Sequence, residues 1–278
     1  MNALELRGVA RTLGDFTLGP LDLTLPQGCI LGLIGRNGAG KSTTIKLILE
    51  MLRPDAGTVR VLGSEDLTGV RRDLGVVPDS VGLPLCMTAR EAGKVMAGIY
   101  DNWDRAEYDR LLTKLQVPGN KLFKDLSKGM RMKLGIALAM AHGAKLLILD
   151  EATSGLDPVV RDQVLDLLME FTRQEDRSVL ISSHIVSDLE KVCDYIAFLD
   201  RGELLLFEEK DVLREQYAVV RVPREQAAQL DRAAILGKRE TPYGAELLLR
   251  RQHVPAGWDC APVSIEELFV YMVREDAE

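Results

Sequence analysis

The stretch that decides the fold is "CILGLIGRNGAGKSTTIKLIL", Cys29 to Leu49. Its first six residues are a continuous apolar run, which suits a buried strand. Gly35 to Ser42 then match G-x-x-x-x-G-K-[S/T]. A helix is expected from about Lys41 to Leu52, stopped by Pro54. Glycines in such a loop let backbone N–H groups wrap a triphosphate. Lys41 reaches the β- and γ-phosphates, and the Ser42 hydroxyl ligates Mg²⁺. The candidate nucleotide contacts are Gly35, Asn37, Gly38, Ala39, Gly40, Lys41, Ser42 and Thr43. The plainer alternative is a glycine-rich turn, and the strand before and helix after weigh against it.

Outward from this loop, residues 4–7 and 16–25 read as short strands, with turns at Gly19–Pro20 and Pro26–Gly28. "GTVRVLG" and "RRDLGVVP" supply two more strands. From Asp79 to Gly143 the pattern turns helical. There Asp104 is a plausible N-cap for a helix whose apolar face is Tyr108, Leu111, Leu112 and Leu115. Strand–helix alternation returns with "KLLILD", "DPVVRDQVLDLLMEFTRQ", "SVLISS" and "IVSDLEKVC". A hairpin follows, turning at Arg201–Gly202. Such alternation implies an α/β layer with a mainly parallel sheet. Residues 1–215 are expected to form this domain, with an N-terminal antiparallel β subdomain and a helical insert over about 80–143. Residues 216–278 read as a small α+β appendage, closed by a helix with the capping box Ser264/Glu267.

The 278 residues carry 46% hydrophobic content and a formal net charge of −7. That length accommodates one large domain and a small one. The acidic balance argues against nucleic acid as a partner, because non-specific binding needs a basic face. Four cysteines (Cys29, Cys86, Cys193 and Cys260) form no CxxC and read as thiols of a reducing cytosol. The start "MNALELRGVART" lacks the apolar core of a signal peptide. The apolar run Leu134–Leu149 is too short to span a bilayer. A cytoplasmic chain is expected.

Two further strand ends carry chemistry. "KLLILDE" ends in Asp150, placed to hold Mg²⁺, and Glu151, where a base could polarise a water. Acidic pairs also end ordinary strands, so this pair alone leaves both readings open. His184 follows "SVLISS" at the carboxyl edge of the sheet, where a γ-phosphate sensor fits. His142 and His253 read as structural. Finally, "LSKGMRMKLGIALAMA", Leu126 to Ala141, places Ser127 at the start of a helix, a second site suited to anions.

In this order the pieces resemble the ATP-binding cassette (ABC) family over about residues 3–210. The phosphate loop resembles Walker A, and "LLILDE" Walker B. Ser154–Asp157 resembles the D-loop, His184 the switch histidine, and "LSKGM" the signature written LSGGQ. The resemblance implies ATP and Mg²⁺ as ligands and a head-to-tail dimer, homomeric or with another ABC ATPase. Each ATP would lie between Walker A of one subunit and the signature of the other. Ser127, Gly129 and Asp157 would then serve the partner's nucleotide. The resemblance also implies a membrane-spanning transporter subunit as partner, and a location peripheral to the inner face of the cell membrane.

The chain departs from the family pattern at several places. Lys128 replaces the first signature glycine, either adding charge toward the phosphates or pointing to solvent, and Met130 replaces the glutamine. Asp79 stands in the slot of the Q-loop glutamine and could reach Mg²⁺ or its water. The adenine-stacking aromatic would fall near Leu13, and Phe16 is its substitute candidate. Asp79, "LSKGM" and "SIEELFVYMV" together look like a bacterial subgroup of separately encoded ATP-binding subunits, of the antibiotic- or peptide-exporter type. Leu83, Leu85, Met87, Ile99, Tyr100 and Trp103 of the insert could receive a membrane partner's helix. A soluble ATP-switched module acting in translation or chromosome maintenance is the alternative. Its usual second ATPase domain or long coiled coil is not seen here.

Overall fold

The computed structural model describes residues 1–242 and 244–273. Tyr243 and residues 274–278, which fall in the expected C-terminal appendage, lie outside the described residues. Thirteen strands are described: β1 (Asn2–Leu13), β2 (Phe16–Pro26), β3 (Ile30–Gly35), β4 (Ala56–Val61), β5 (Leu74–Val77), β6 (Leu146–Asp150), β7 (Ser178–Ser183), β8 (Tyr195–Asp200), β9 (Glu203–Glu209), β10 (Tyr217–Val222), β11 (Ile235–Thr241), β12 (Gly244–Arg250) and β13 (Cys260–Pro262). The α-helices are α1 (Lys41–Ile48), α2 (Ala89–Ala97), α3 (Arg105–Lys114), α4 (Lys128–Met140), α5 (Pro158–Phe171), α6 (Val186–Val192), α7 (Lys210–Gln216), α8 (Arg224–Ala227) and α9 (Ile265–Val273).

The central sheet runs β5-β6-β7-β3-β8-β9, parallel except for the β8–β9 hairpin. Its register aligns Val77 with Leu149, Asp150 with Ser182, and Ile34 with Ser183. The carboxyl ends of β5, β6, β7 and β3 therefore open on one edge. All six residues of β3 and of β7 are buried, as expected of parallel strands covered on both faces. An antiparallel sheet, β2-β1-β4, packs its buried face (Leu4, Leu6, Leu21, Leu25) into a core shared with α1 and the central sheet.

The other face of the central sheet is covered by α4. Residues Met132 to Met140 are all buried, because α4 lies between the sheet and the other helices of the insert, α2 and α3. Close approach to β5 depends on Gly75, where an added Cβ would lie 2.3 Å from the Ala139 carbonyl oxygen. Asp104 caps α3 by accepting from Glu107 N–H at 2.9 Å, and Tyr108, Leu111, Leu112 and Leu115 are buried as expected. Burial pushes the Tyr108 hydroxyl above its ordinary pKa, and it donates to the Ala89 carbonyl at 2.7 Å. His142 is buried and stacks on Tyr100. Loss of water holds its pKa below the usual value. His253 is exposed.

Two expectations need correction. Gly19–Pro20 does not end a strand. It lies inside β2, beside the register shift between Val9 and Arg11, where proline's missing N–H is tolerated. Helix α1 is shorter than expected and stops at Ile48, followed by Glu50 at φ +53°, before Pro54 can act.

The C-terminal strands form an antiparallel sheet, β11-β12-β10-β13. One face packs through α9 onto the main core, where Phe269 meets Phe198 edge-on with ring centres 5.1 Å apart. The other face has its own small core of Val220, Val222, Leu247 and Leu249. The Ser264/Glu267 capping box is present, with Glu267 N–H donating to Ser264 Oγ at 3.1 Å.

Candidate active site

The loop between β3 and α1 leaves the helix start uncapped. Gly40 is the N-cap residue, at φ +112°, and offers no side chain; no acidic residue lies in the first turn. Helices α2 to α5 each have a side chain on their first-turn N–H groups, from Thr88, Asp104, Ser127 and Asp157 respectively. The first N–H groups of a helix have no partner within it. Those of α1 are therefore left for an anion. Gly38, at φ +83°, faces open space, and Asn37 and Ser42 are exposed. This uncapped start fits a polyphosphate.

The loop is held from behind by a residue that sequence reasoning assigned only to a turn. Gly202, at the tip of the β8–β9 hairpin, donates its N–H to the Ala39 carbonyl at 3.0 Å and accepts from Gly19 N–H at 2.7 Å. A Cβ on Gly202 would lie 1.9 Å from the Thr17 carbonyl oxygen, so only glycine fits. Phe16, half-buried, lies against both Gly40 and Gly202.

Three side chains converge beneath the loop. Lys41, 5% exposed, donates to the Gly35 carbonyl at 2.7 Å and lies 3.0 Å from Glu151 Oε1. Glu151 Oε2 lies 2.7 Å from His184 Nδ1. Glu151 Oε1 makes no hydrogen bond despite its burial, so the Lys41 contact is a charge contact only. Glu151 sits at φ +51°, a conformation that costs a non-glycine residue about 1–3 kcal/mol. Ser182 compensates, because its carbonyl and hydroxyl oxygens both accept from Glu151 N–H, at 3.1 and 3.0 Å. The Ser182 hydroxyl in turn donates to Asp150 Oδ1 at 2.5 Å. Sequence reasoning missed Ser182. Two adjacent serines closing a buried strand were the available signal.

The remaining candidates lie apart from this group. Asp79, two residues beyond β5, is exposed and makes no hydrogen bond or ion pair among the described residues. Ser127 Oγ accepts from Met130 N–H at 3.2 Å, and Asp157 Oδ1 accepts from Val160 N–H at 3.0 Å. The starts of α4 and α5 touch each other, since a Cβ on Gly129 would lie 3.2 Å from Val160 Cγ1. Lys128 is exposed and directs its ammonium over Gly155, where an added Cβ would lie 2.6 Å from Nζ. Among the described residues, no hydrogen bond or ion pair joins Ser127, Gly129 or Asp157 to the phosphate loop. A cleft of about 610 Å³ between α2 and α3, lined by Arg90, Trp103 and Tyr108 among others, shares no residue with the loop.

A model of the ABC transporter family matches residues 18–154. The chain is 30% identical over 282 residues to the ABC transporter ATP-binding protein YtrB of Bacillus subtilis, covering 96% of this chain and 97% of that one. It is 32% identical to the bacitracin transport ATP-binding protein BcrA of Enterococcus faecalis, over 73% of this chain and 68% of that one. Among solved structures, an ATP-binding subunit of an ABC transporter superposes with TM-score 0.69 at 29% identity, covering 77% of this chain and 92% of that one. A dimeric cassette in a post-hydrolysis state with ADP and Pi shares the fold, with TM-score 0.67 at 23% identity, over 74% of this chain and 98% of that one. The chain belongs to the ABC transporter family, as an ATP-binding and ATP-hydrolysing subunit of a bacterial transporter. Such subunits dimerise and work with membrane components. Among the described residues no helix is long and apolar enough to cross a membrane.

Proposed function

We propose that this subunit drives an exporter of antibiotic- or peptide-like compounds, from the inner face of the cell membrane, through a separately encoded membrane-spanning subunit. The subgroup features of the sequence and the likeness to BcrA support the export reading. Leu85, Val95 and Ile99, exposed at 60%, 48% and 67% on the insert, suit a surface that receives the partner.

In this reading Gly35, Asn37, Gly38, Ala39, Gly40, Lys41, Ser42 and Thr43 bind the phosphates of ATP, and Phe16 stacks on its adenine. Ser42 and Asp150 would hold Mg²⁺, and Asp79 would reach the ion or its water. Bound there, the ion offsets charge building up on the phosphate oxygens. Glu151 orients and polarises the attacking water, and His184 holds Glu151 in place and senses the γ-phosphate. When phosphate draws Lys41 away from Glu151, that carboxylate becomes free to act as a base. Ser127, Gly129 and Asp157 act on the nucleotide of the other subunit in a homodimer or heterodimer.

The observation that carries the shared-site reading is the separation of the two groups. Lys41 and His184 each contact Glu151, while among the described residues no hydrogen bond or ion pair joins Ser127, Gly129 or Asp157 to any of these three. The test mixes two disabled subunits. Lys41→Ala breaks the phosphate loop and Ser127→Arg blocks the signature. In a mixed dimer one site holds both lesions and the other holds none. Random pairing makes about half the dimers mixed, so roughly a quarter of sites are whole. Phosphate release should therefore reappear on mixing, and its absence under demonstrated subunit exchange would refute a shared site in a homodimer.

A further inference from the structure

The ion pair between Arg161 on α5 and Asp188 on α6 belongs to none of the motifs above. Asp188 is 3% exposed. Its Oδ2 lies 3.5 Å from Arg161 Nε, and neither atom makes a hydrogen bond. The guanidinium instead donates through Nη2 to the Leu156 carbonyl at 3.3 Å, inside the D-loop segment. Asp188 stands in the first turn of α6, whose N-cap residue, Ile185, directly follows His184.

A buried charge pair without good hydrogen bonds recovers little of its desolvation cost. Apolar residues of similar size would join α5 to α6 at least as well. Such residues are already there, since Val164 and Leu168 of α5 and Leu189 of α6 lie in the same core. Adhesion between the helices therefore does not need the pair. What the pair adds is a tether. A continuous line of contacts runs from Lys41 to Glu151, to His184, through the turn to Asp188, to Arg161, and to the carbonyl next to Asp157.

We propose that Arg161 and Asp188 are positioning residues for ATP hydrolysis. They hold the D-loop in register with the switch histidine, so the site a subunit builds for itself and the loop it presents to its partner move as one body. The part that crosses to the partner rests on the shared-site reading.

The test replaces the pair by an apolar one, Arg161→Met with Asp188→Leu. Arg161→Met alone strands a buried carboxylate and should lower the thermal midpoint. The double variant should return that midpoint to the wild-type value or above it. Its kcat should nevertheless fall about tenfold, with KM for ATP within about twofold, because misplacing catalytic groups costs rate rather than ground-state binding. Arg161→Lys keeps the charge but loses the fork that spans Leu156 and Asp188, and its kcat should fall in between. A stable double variant with wild-type kcat would overturn the proposal, as would wild-type kcat in Arg161→Lys if the double variant does not fold. A second arm places the apolar pair in the Lys41→Ala subunit and mixes it with Ser127→Arg. The working site then belongs to the other chain, so a loss must travel through the D-loop. Recovery should drop about tenfold against the mixture without the apolar pair, and equal recovery would refute the reach across the interface. If the parent mixture itself gives no recovery, the shared site fails, and the homogeneous double variant still judges the pair.

Discussion

Two helix starts in this subunit look interchangeable by composition and are built differently. The start of α1 at Gly40 has no side-chain cap, stands on a left-handed glycine, and has a lysine ammonium folded beneath it. The start of α4 at Ser127 is capped by its own hydroxyl and leans on the start of α5. Both ends carry partial positive charge. Of the two, only α1 leaves its first N–H groups without a side-chain partner, and it sits at the edge where the five parallel strands end. An anion site is thus defined by which groups remain unsatisfied and by what the sheet brings beside them. Helix α4 has satisfied part of its need internally and is ready for a surface presented from outside.

The comparison can be broken most severely at Glu151. Glu151→Gln keeps the shape that fits between Lys41 and His184 but removes the base, so turnover should fall about 10²- to 10⁴-fold. ATP binding should persist, and gel filtration with ATP should show a trapped dimer. Near-wild-type phosphate release from this variant would sink the assignment of Glu151.

The next effect is at Gly40. Alanine there must adopt φ +112° and place its Cβ 2.6 Å from Leu18 Cδ1, so the loop should distort. The left-handed conformation alone costs roughly 1–2 kcal/mol. ATP affinity should fall about tenfold or more, measurable by calorimetric titration. Unchanged affinity would mean that the loop tolerates a side chain where the geometry leaves no room.

Ser127→Ala should be milder. Loss of the N-cap costs about 1 kcal/mol, lowering the melting midpoint by roughly 2–4 °C. Affinity of the isolated subunit for ATP should stay unchanged, while turnover of the assembled dimer falls. Reduced affinity in the isolated subunit would join the two helix starts into one site and end the distinction.

The smallest effect is expected at Asp79, which is exposed and unpartnered among the described residues. Asp79→Asn should leave basal hydrolysis within about twofold, since exposed substitutions away from structural contacts change little. The predicted change is a weaker stimulation by the membrane subunit. Identical basal and stimulated rates in the two proteins would make Asp79 an ordinary loop acid.

Much of this was legible in the residues themselves. Local chemistry sets the phosphate loop, because Gly35 to Ser42 carry the turn, the lysine and the hydroxyl within eight positions. Periodicity likewise marked α3, and its cap at Asp104 was readable as a short-range side-chain-to-backbone bond, whereas the cap that Asp157 places on α5 emerged only from the structure. Strand β11 and the packing of the C-terminal sheet against α9 were not readable. Polar-rich strands such as "ILGKRET" show no clear alternation until a partner strand and a helix select one face. The turn expected at Gly19–Pro20 failed for the same reason. Local turn propensity yielded to pairing with β1, which absorbs the proline at a register shift.

What the sequence alone determined is therefore the set of groups able to do the chemistry: Lys41, Ser42, Asp150, Glu151 and His184, each at the end of a recognisable strand or loop. What only the tertiary structure decided is which of them touch. Parallel register alone brings Glu151 between Lys41 and His184, and it leaves Asp79 and Ser127 outside that contact. The supports Ser182, Gly202, Arg161 and Asp188 belong to the same category. Their roles depend on neighbours far away in the chain, such as Asp150 for Ser182 and Thr17 for Gly202. Sequence spacing carries no distance information across such separations, whereas hydrogen bonds and steric contacts act only over a few ångströms.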